Sequence, residues 1–463
     1  MEQIKRDPLG LKEVYYYYSE GGIVSSPGLR ELLDKYHIPV VIDSGSLEIF
    51  LSLGFVPAPK TMIKDVYKLP IGCVLGDKEC IQQFKKPLEV QRNTQSVEQI
   101  TREVRTLLTE IVEKSLNDLD LSTEIGVILS EGVDSIALTW LLRHVYQRKC
   151  SAFYCTFEDK LSDSEINKGI LDELGCKTER IHITTDNALK WLFDIVRDME
   201  DCLADPELVA SYGMNRYIAE KCNTIFSSQG ADHLFGGIMF YLRMRDSEKH
   251  YKKGQVALCS EKRAMRLISY LHDLTFVEKK ALANQISQNT FQDSLAAYLE
   301  DNEDIVDLLI HWMSVTYIPE GLIRRNVMSL KHSDTRIIFP FLDERMKSYT
   351  YSIPSEFKVY GNINKYLLHE AFSDVVTAQS LKRYQPNFHT PLGVWTKKPQ
   401  WLDFMHSVFS ESDYFDYQLV KDRLEKNKRG EIDNSRILFQ LLIFELWLKD
   451  IRTRCSSLYT HMV

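Results

Sequence analysis

From residue 125 onward the apolar residues fall into short runs: IGVILS, SAFYCTF, RIHIT and NTIFSS, beginning at Ile125, Ser151, Arg180 and Asn223. Between them lie stretches with apolar residues near helical spacing, at 135–147, 163–174 and 186–199. Short apolar strands alternating with helices predict a parallel, doubly wound sheet covered on both faces. Such sheets bind ligands at the carboxyl ends of their strands. Before 125 the pattern differs. VYYYYSEGGIVSS alternates around a glycine pair, as a hairpin does, and residues 13–72 read as mixed β and turn. Gly54 to Gly72 is too rich in proline to be helix throughout. Residues 82–98 are polar and read as a linker. Ile100, Val104, Leu107, Leu108, Ile111 and Val112 then mark a helix. Beyond about 245 the chain reads as mostly helical, with ILFQLLIFELWLKD at 437–450 as one example.

Length and composition narrow this picture. A chain of 463 residues is too long for one ordinary domain. Hydrophobic residues make up 44% and charged residues 26%, an ordinary globular balance. The net charge of −8 argues against nucleic acid as the main partner. No apolar run is long enough to span a membrane, and no apolar signal core follows MEQIKRDPLG. The nine cysteines are scattered without a CxxC pair, which suits free thiols in a reducing compartment. The expectation is a cytoplasmic protein with no membrane and no nucleic-acid partner.

The chemistry sits in two loops. After IGVILS come Ser130 and Ser135, which offer hydroxyls, and Gly132, which lets the backbone approach a ligand. The helix that follows points its positive end at the same place, which suits an anion. Asp134 does not suit an anion unless a divalent cation lies between them, and Mg²⁺ bridging a carboxylate and polyphosphate oxygens resolves the conflict. The loop is not a Walker loop, since GK[ST] is absent. The second turn, SSQGADHLFGG, also follows an apolar run and carries Asp232. In a parallel sheet both turns lie at one edge, so Asp134 and Asp232 are expected to share one Mg²⁺.

SEGVDS resembles the SGGxDS pyrophosphate loop of the N-type ATP pyrophosphatases. SQGADHLFGG, FPFLDERM, IPSEFKVYGNINKYLLHEAF and RYQPNFHTPLGVW resemble, in order, segments of the asparagine synthetase family. RDPLGLKEVYY and FVPAPKTMIKDVYKLPIG resemble the second half of that family's glutaminase domain. The resemblance implies an adenine nucleotide α-hydrolase-like α/β fold: a five-stranded parallel sheet, a helical C-terminal part, and a partial β-rich layer of N-terminal nucleophile type in front. The implied organisation is a truncated glutaminase-like region at 1–85, a linker at 86–100 and a synthetase domain at 101–463. The implied chemistry is an ATP- and Mg²⁺-dependent ligase. It adenylates a carboxylate, releases pyrophosphate and AMP, and joins the acyl group to an amine; relatives include β-lactam synthetases and lasso-peptide cyclases.

Carried over residue by residue, Ser130, Gly132, Asp134 and Ser135 would hold pyrophosphate. Asp134 and Asp232 would hold Mg²⁺. Leu129, Phe157, Ser228, Gln229 and Gly230 would line the nucleotide. Lys365 matches a family lysine. Arg383 and Gln385 fall at the family's R-x-K, so the neutral Gln385 replaces a catalytic lysine, and Lys382 is the nearest substitute. The family's E-x-R-x-P-F-L-D appears with two extra residues, which makes Asp334 the candidate acid or base on the amine. Glu131 replaces a loop glycine, with its side chain expected toward solvent or, as the alternative, joining the metal site, and His233 replaces a glutamate. Trp395, Tyr349 and Tyr384 are candidates to line an acceptor pocket. The family's N-terminal nucleophilic cysteine has no counterpart at Met1-Glu2, so no glutaminase activity is expected. The glutaminase-like remnant would be either a structural layer or a surface completed by a partner chain. These departures favour a specialised, peptide or amino-acid-derived substrate. Two other readings stay open: an asparagine synthetase using ammonia or a separate glutaminase, and a nucleotide-binding pseudoenzyme.

Overall fold

The computed structural model describes residues 4–76, 80–82, 90–158, 168–253, 259–271, 274–286, 288–299, 304–361, 363–375 and 390–456. Near the N-terminus, β1 (Tyr15–Ser19) and β2 (Gly22–Ser26) form the expected hairpin, with Ser19 opposite Gly22. β3 (Val66–Lys68) pairs with the other edge of β1, and β4 (Cys73–Leu75) pairs with β5 (Cys80–Gln82). Two helices, α1 (Leu29–Lys35) and α2 (Ser44–Leu53), interrupt what the sequence suggested was β and turn throughout. Every residue of α2 from Ser46 to Leu53 is buried, so the helix has no polar face to give it a period.

This N-terminal part shares one hydrophobic core with the rest of the chain. Charged groups also join the two parts. Glu320 meets Lys68 at 2.6 Å and Arg6 at 2.7 Å, and Lys68 also meets Asp201 at 3.2 Å. All four side chains lie out of solvent. Arg324 reaches back to Glu13 at 2.8 Å.

Helix α3 (Val97–Asn117) starts inside the stretch expected as linker, because Ser96 and Gln99 close a capping box. The second sheet follows: β6 (Ile125–Ile128), β7 (Cys150–Phe157), β8 (Lys177–Ile183), β9 (Thr224–Phe226) and β10 (Arg336–Ile338). All its pairings are parallel, in the order β10-β9-β6-β7-β8. Its helices are α4 (Val133–Trp140), extended by a π turn at Leu141–Val145, then α5 (Lys168–Leu174), α6 (Thr185–Asp198) and α7 (Leu208–Ala219). The apolar pattern does not reveal α7, which is buried continuously from Leu208 to Asn215. The part beyond β9 is mostly helical and ends in the helix Ser435–Ser456. No helix among the described residues is long and apolar enough to cross a membrane.

Candidate nucleotide and metal site

β6 has β7 on one side and β9 on the other, so the chain reverses its winding direction at β6. That reversal opens a crevice beyond the carboxyl ends of β6 and β9. The two loops singled out in the sequence meet there.

The first loop ties itself together. Ser130 N donates to Ser135 Oγ at 3.0 Å, and Ser135 Oγ lies 2.8 Å from Ser130 O. Gly132 N donates to Ser130 Oγ at 3.2 Å. This compact turn places Asp134 in the first turn of α4. The second loop reaches the same carboxylate: Ser228 Oγ donates to Asp134 Oδ2 at 2.8 Å. Asp232 follows on the one-turn helix α8 (Ala231–Leu234). Between Ser228 and Asp232 the chain turns at Gly230, with φ +99°. A Cβ at Gly230 would lie 2.3 Å from Leu342 Cδ2, so both conformation and space require glycine.

A third segment completes the arrangement. Lys365 Nζ lies 2.6 Å from Asp134 Oδ1 and 2.9 Å from Asp232 Oδ1. One ammonium thus joins two carboxylates from different loops. Burial pushes the Asp134 carboxyl up, but the Lys365 charge and hydrogen bonds from Lys365 and Ser228 bring it below the ordinary range. Burial, with repulsion from Asp134, holds Asp232 above its ordinary value despite Lys365. Burial opposes the charge on Lys365, yet the two carboxylates keep it protonated well above the usual lysine range.

Gly237 makes this approach possible. A Cβ there would lie 2.2 Å from Asp232 Oδ1 and 2.6 Å from Lys365 Cε. Asn364 Nδ2 also donates to Gly237 O at 3.2 Å. Sequence reasoning gave Gly237 no role, although the Gly236-Gly237 pair was a visible signal. It likewise passed over Asn326, whose Nδ2 donates to Gln229 Oε1 at 2.6 Å and orients that side chain.

The remaining candidates divide. Leu129 ends β6, with its N–H donating to Phe153 O at 2.8 Å. Phe157 lies at the carboxyl end of β7, buried edge-on against Trp395 at 5.9 Å between ring centres. Trp395 itself is fully buried and stacks on Trp401, so it packs the core rather than lining an open pocket. The Tyr349 hydroxyl donates to Glu103 at 2.6 Å, on α3. Asp334 is not brought to the site. It lies exposed just ahead of β10, where Arg336 N bonds Asn223 O, at the amino edge of the sheet. Lys382, Arg383, Tyr384 and Gln385 lie outside the described residues. His233 is buried against Tyr317, ring centres 5.2 Å apart, and burial with the nearby Arg325 lowers it to about 3. It is therefore a neutral packing group near pH 7. Glu131 is partly buried beside the loop.

The donor set fits Mg²⁺. Both carboxylates reach a single small cation, and carboxylate oxygens with phosphate and water oxygens are the ligands Mg²⁺ prefers. Among the described residues no group of three or more His, Cys, Asp or Glu converges, so the remaining ligands would come from phosphate and water.

Comparison with known proteins identifies the family. The family model for asparagine synthase matches residues 103–449, and that for a glutamine amidotransferase domain matches residues 2–86. The chain is 24% identical to asparagine synthetase [glutamine-hydrolyzing] 1 of Bacillus subtilis, over 96% of its own length and 74% of the relative's. It is 24% identical to a putative asparagine synthetase [glutamine-hydrolyzing] of Mycobacterium tuberculosis, over 96% and 73%. The human asparagine synthetase [glutamine-hydrolyzing] matches at 22%, over 72% and 49%.

Proposed function

The chain belongs to the asparagine synthase family, and from that premise we propose an AMP-forming ligase that adenylates a specialised carboxylate and passes the acyl group to an amine. The observation that carries this reading is the convergence of Asp134 and Asp232, from separate loops, on one cation at the winding reversal of the sheet. ATP would lie across the two loops. Its phosphates would face Ser130, Gly132, Ser135 and the amino end of α4, where N–H groups and the helix dipole favour anions. Its adenosine would lie toward Leu129, Phe157 and the Ser228–Gly230 turn. Mg²⁺, held by Asp134 and Asp232, would neutralise charge on the departing pyrophosphate. Lys365 stays protonated across the working pH range and holds a positive charge at the same edge, where negative charge builds on the phosphoryl oxygens. Ser228 fixes the orientation of Asp134, and Asn326 fixes that of Gln229.

The amidotransferase-matched region we read as a structural layer rather than a glutaminase. Its packing into the common core and the buried Arg6–Glu320–Lys68 cluster support that reading. Cys73, 2% exposed inside β4, is not presented to a substrate. The test is pyrophosphate release from ATP and Mg²⁺ across a panel of amino acids and peptide acids, with an amine present. Acid-dependent release with AMP as co-product is expected. Silence across the panel from a folded protein would overturn the reading. Rescue of an asparagine auxotroph would instead select free aspartate as the acid.

A further inference from the structure

The opposite edge of the parallel sheet carries a group of thiols that the nucleotide chemistry does not use. Cys150 opens β7, and Cys176 lies one residue ahead of β8. The register pairs Ser151 with Lys177, so Cys150 and Cys176 stand side by side one step earlier. Residues at matching positions of neighbouring strands lie about 4.8 Å apart and point to the same face. That falls within the roughly 4.4–6.8 Å Cα separation a disulfide spans. The register brings the Cys150 thiol within hydrogen-bonding reach of the Cys176 sulfur. Cys150 is buried, whereas Cys176 is partly open to solvent.

A fixed cation lies beside the chain segments that carry the pair. Arg143, in the π turn after α4, donates from Nη2 to Gly175 O at 2.9 Å and from Nη1 to Arg148 O at 3.0 Å. Its buried Nε has no hydrogen-bond partner among the described residues. The hydrogen bond from Cys150 outweighs burial and, with the Arg143 charge, lowers the Cys176 thiol to about 7. Cys150, which gives that hydrogen bond and is buried, is held well above the ordinary thiol range. One accessible sulfur favoured as thiolate, beside one buried protonated sulfur, is the arrangement of an attacking and a resolving cysteine.

We propose that Cys176 and Cys150 form an oxidant-reactive pair that a hydroperoxide converts to a disulfide. The Cys176 thiolate attacks one peroxide oxygen and the O–O bond breaks. With hydrogen peroxide the leaving hydroxide takes a proton and departs as water. Cys176 is then a sulfenic acid. The Cys150 sulfur attacks it, the S–O bond breaks, and a second water leaves with the Cys150 proton. In sum, two thiols and one hydrogen peroxide give one disulfide and two waters. The pair lies across the sheet from Asp134 and Asp232, so its chemistry is separable from nucleotide binding.

The test uses the full chain and two variants, C150S and C176S. Iodoacetamide labelling across pH should show Cys176 reacting with a midpoint about pH 7. Peptide mass spectrometry after hydrogen peroxide should show a Cys150–Cys176 linked pair, reversed by dithiothreitol. C150S should stop at a sulfenic acid that dimedone traps on Cys176. C176S should lose both the fast-labelling thiol and the link, with Mg²⁺-dependent ATP binding unchanged. A Cys176 midpoint at the ordinary value of about 8.5 would overturn the proposal. So would a peroxide-treated native chain with both thiols still free, or with either one linked elsewhere.

Discussion

Replacing Lys365 with methionine keeps the reach of the side chain and removes its charge. Asp134 and Lys365 are 9% and 13% exposed at 2.6 Å, so this arm behaves as a buried pair. Deleting one partner of such a pair costs about 3–5 kcal/mol, because the other charge is left uncompensated. The Asp232 side chain is 35% exposed, and its arm adds less than about 1 kcal/mol. Lys365→Met is therefore expected to melt roughly 5 °C or more below the native chain at pH 8. The pH dependence has a definite sign. In the native chain the Asp134 contribution is lost only below the ordinary carboxylate value of 3.8, because that group is depressed. The Lys365 contribution is lost only as pH rises above 10.5, because that group is raised. The native melt should thus be flat near neutrality as far as Asp134 and Lys365 are concerned, while Asp232, whose carboxyl is raised, favours the fold less as pH rises above 3.8. In Lys365→Met one carboxyl takes up a proton as pH falls, and the deficit should shrink between pH 8 and pH 5. Mg²⁺ without nucleotide should also rescue the variant, by about 2.7 kcal/mol at a hundredfold excess over Kd. The native chain, whose carboxylates already hold an ammonium, should respond much less. Differential scanning fluorimetry reads both effects. A variant melting within 1 °C or so of the native chain at pH 8 would refute the reasoning, as would equal Mg²⁺ shifts in both proteins.

Gly237→Ala is expected to abolish pyrophosphate release while costing only about 1–3 kcal/mol of stability, since its Cβ would displace Asp232 and Lys365. Parallel melting and product assays separate the two effects. Glu131→Gly should strengthen ATP binding by roughly threefold, the size of a partly screened charge interaction; weaker binding by calorimetry would mean that the glutamate has been recruited to the metal. Glu320→Gln should destabilise the fold by about 3–5 kcal/mol in urea melts, because Arg6 and Lys68 lose a buried partner. Despite burial, Arg6, Lys68 and Arg324 bring Glu320 to about 2. Its contribution is therefore complete above the ordinary 4.5 and is lost as pH falls toward 2, so the acid limb of the stability profile should flatten in the variant.

Much of the sheet was legible because β6 and β9 lie within the apolar runs and β7 and β8 overlap them, and parallel strands read that way when covered on both faces. Helices α2 and α7 were not legible, because burial on every side leaves no polar stripe to count. The two loops were found through their serines, glycines and aspartates, and the parallel sheet required them to share an edge. The role of Lys365 was beyond any local pattern, since its partners lie far away along the chain. Only a resemblance pointed to it. Asp334 was chosen by offset from Pro340, but β10 begins at Arg336, so a residue before it belongs to the other edge.

The central claim is that the loops after β6 and β9 form one Mg²⁺-dependent nucleotide site. Titration calorimetry of ATP into the native chain and into Asp134→Ala, each with Mg²⁺ and with EDTA, tests it most directly. The account predicts binding to the native chain that requires Mg²⁺ and is lost in Asp134→Ala while the fold persists. Equal binding by both proteins, or native binding indifferent to EDTA, would contradict it.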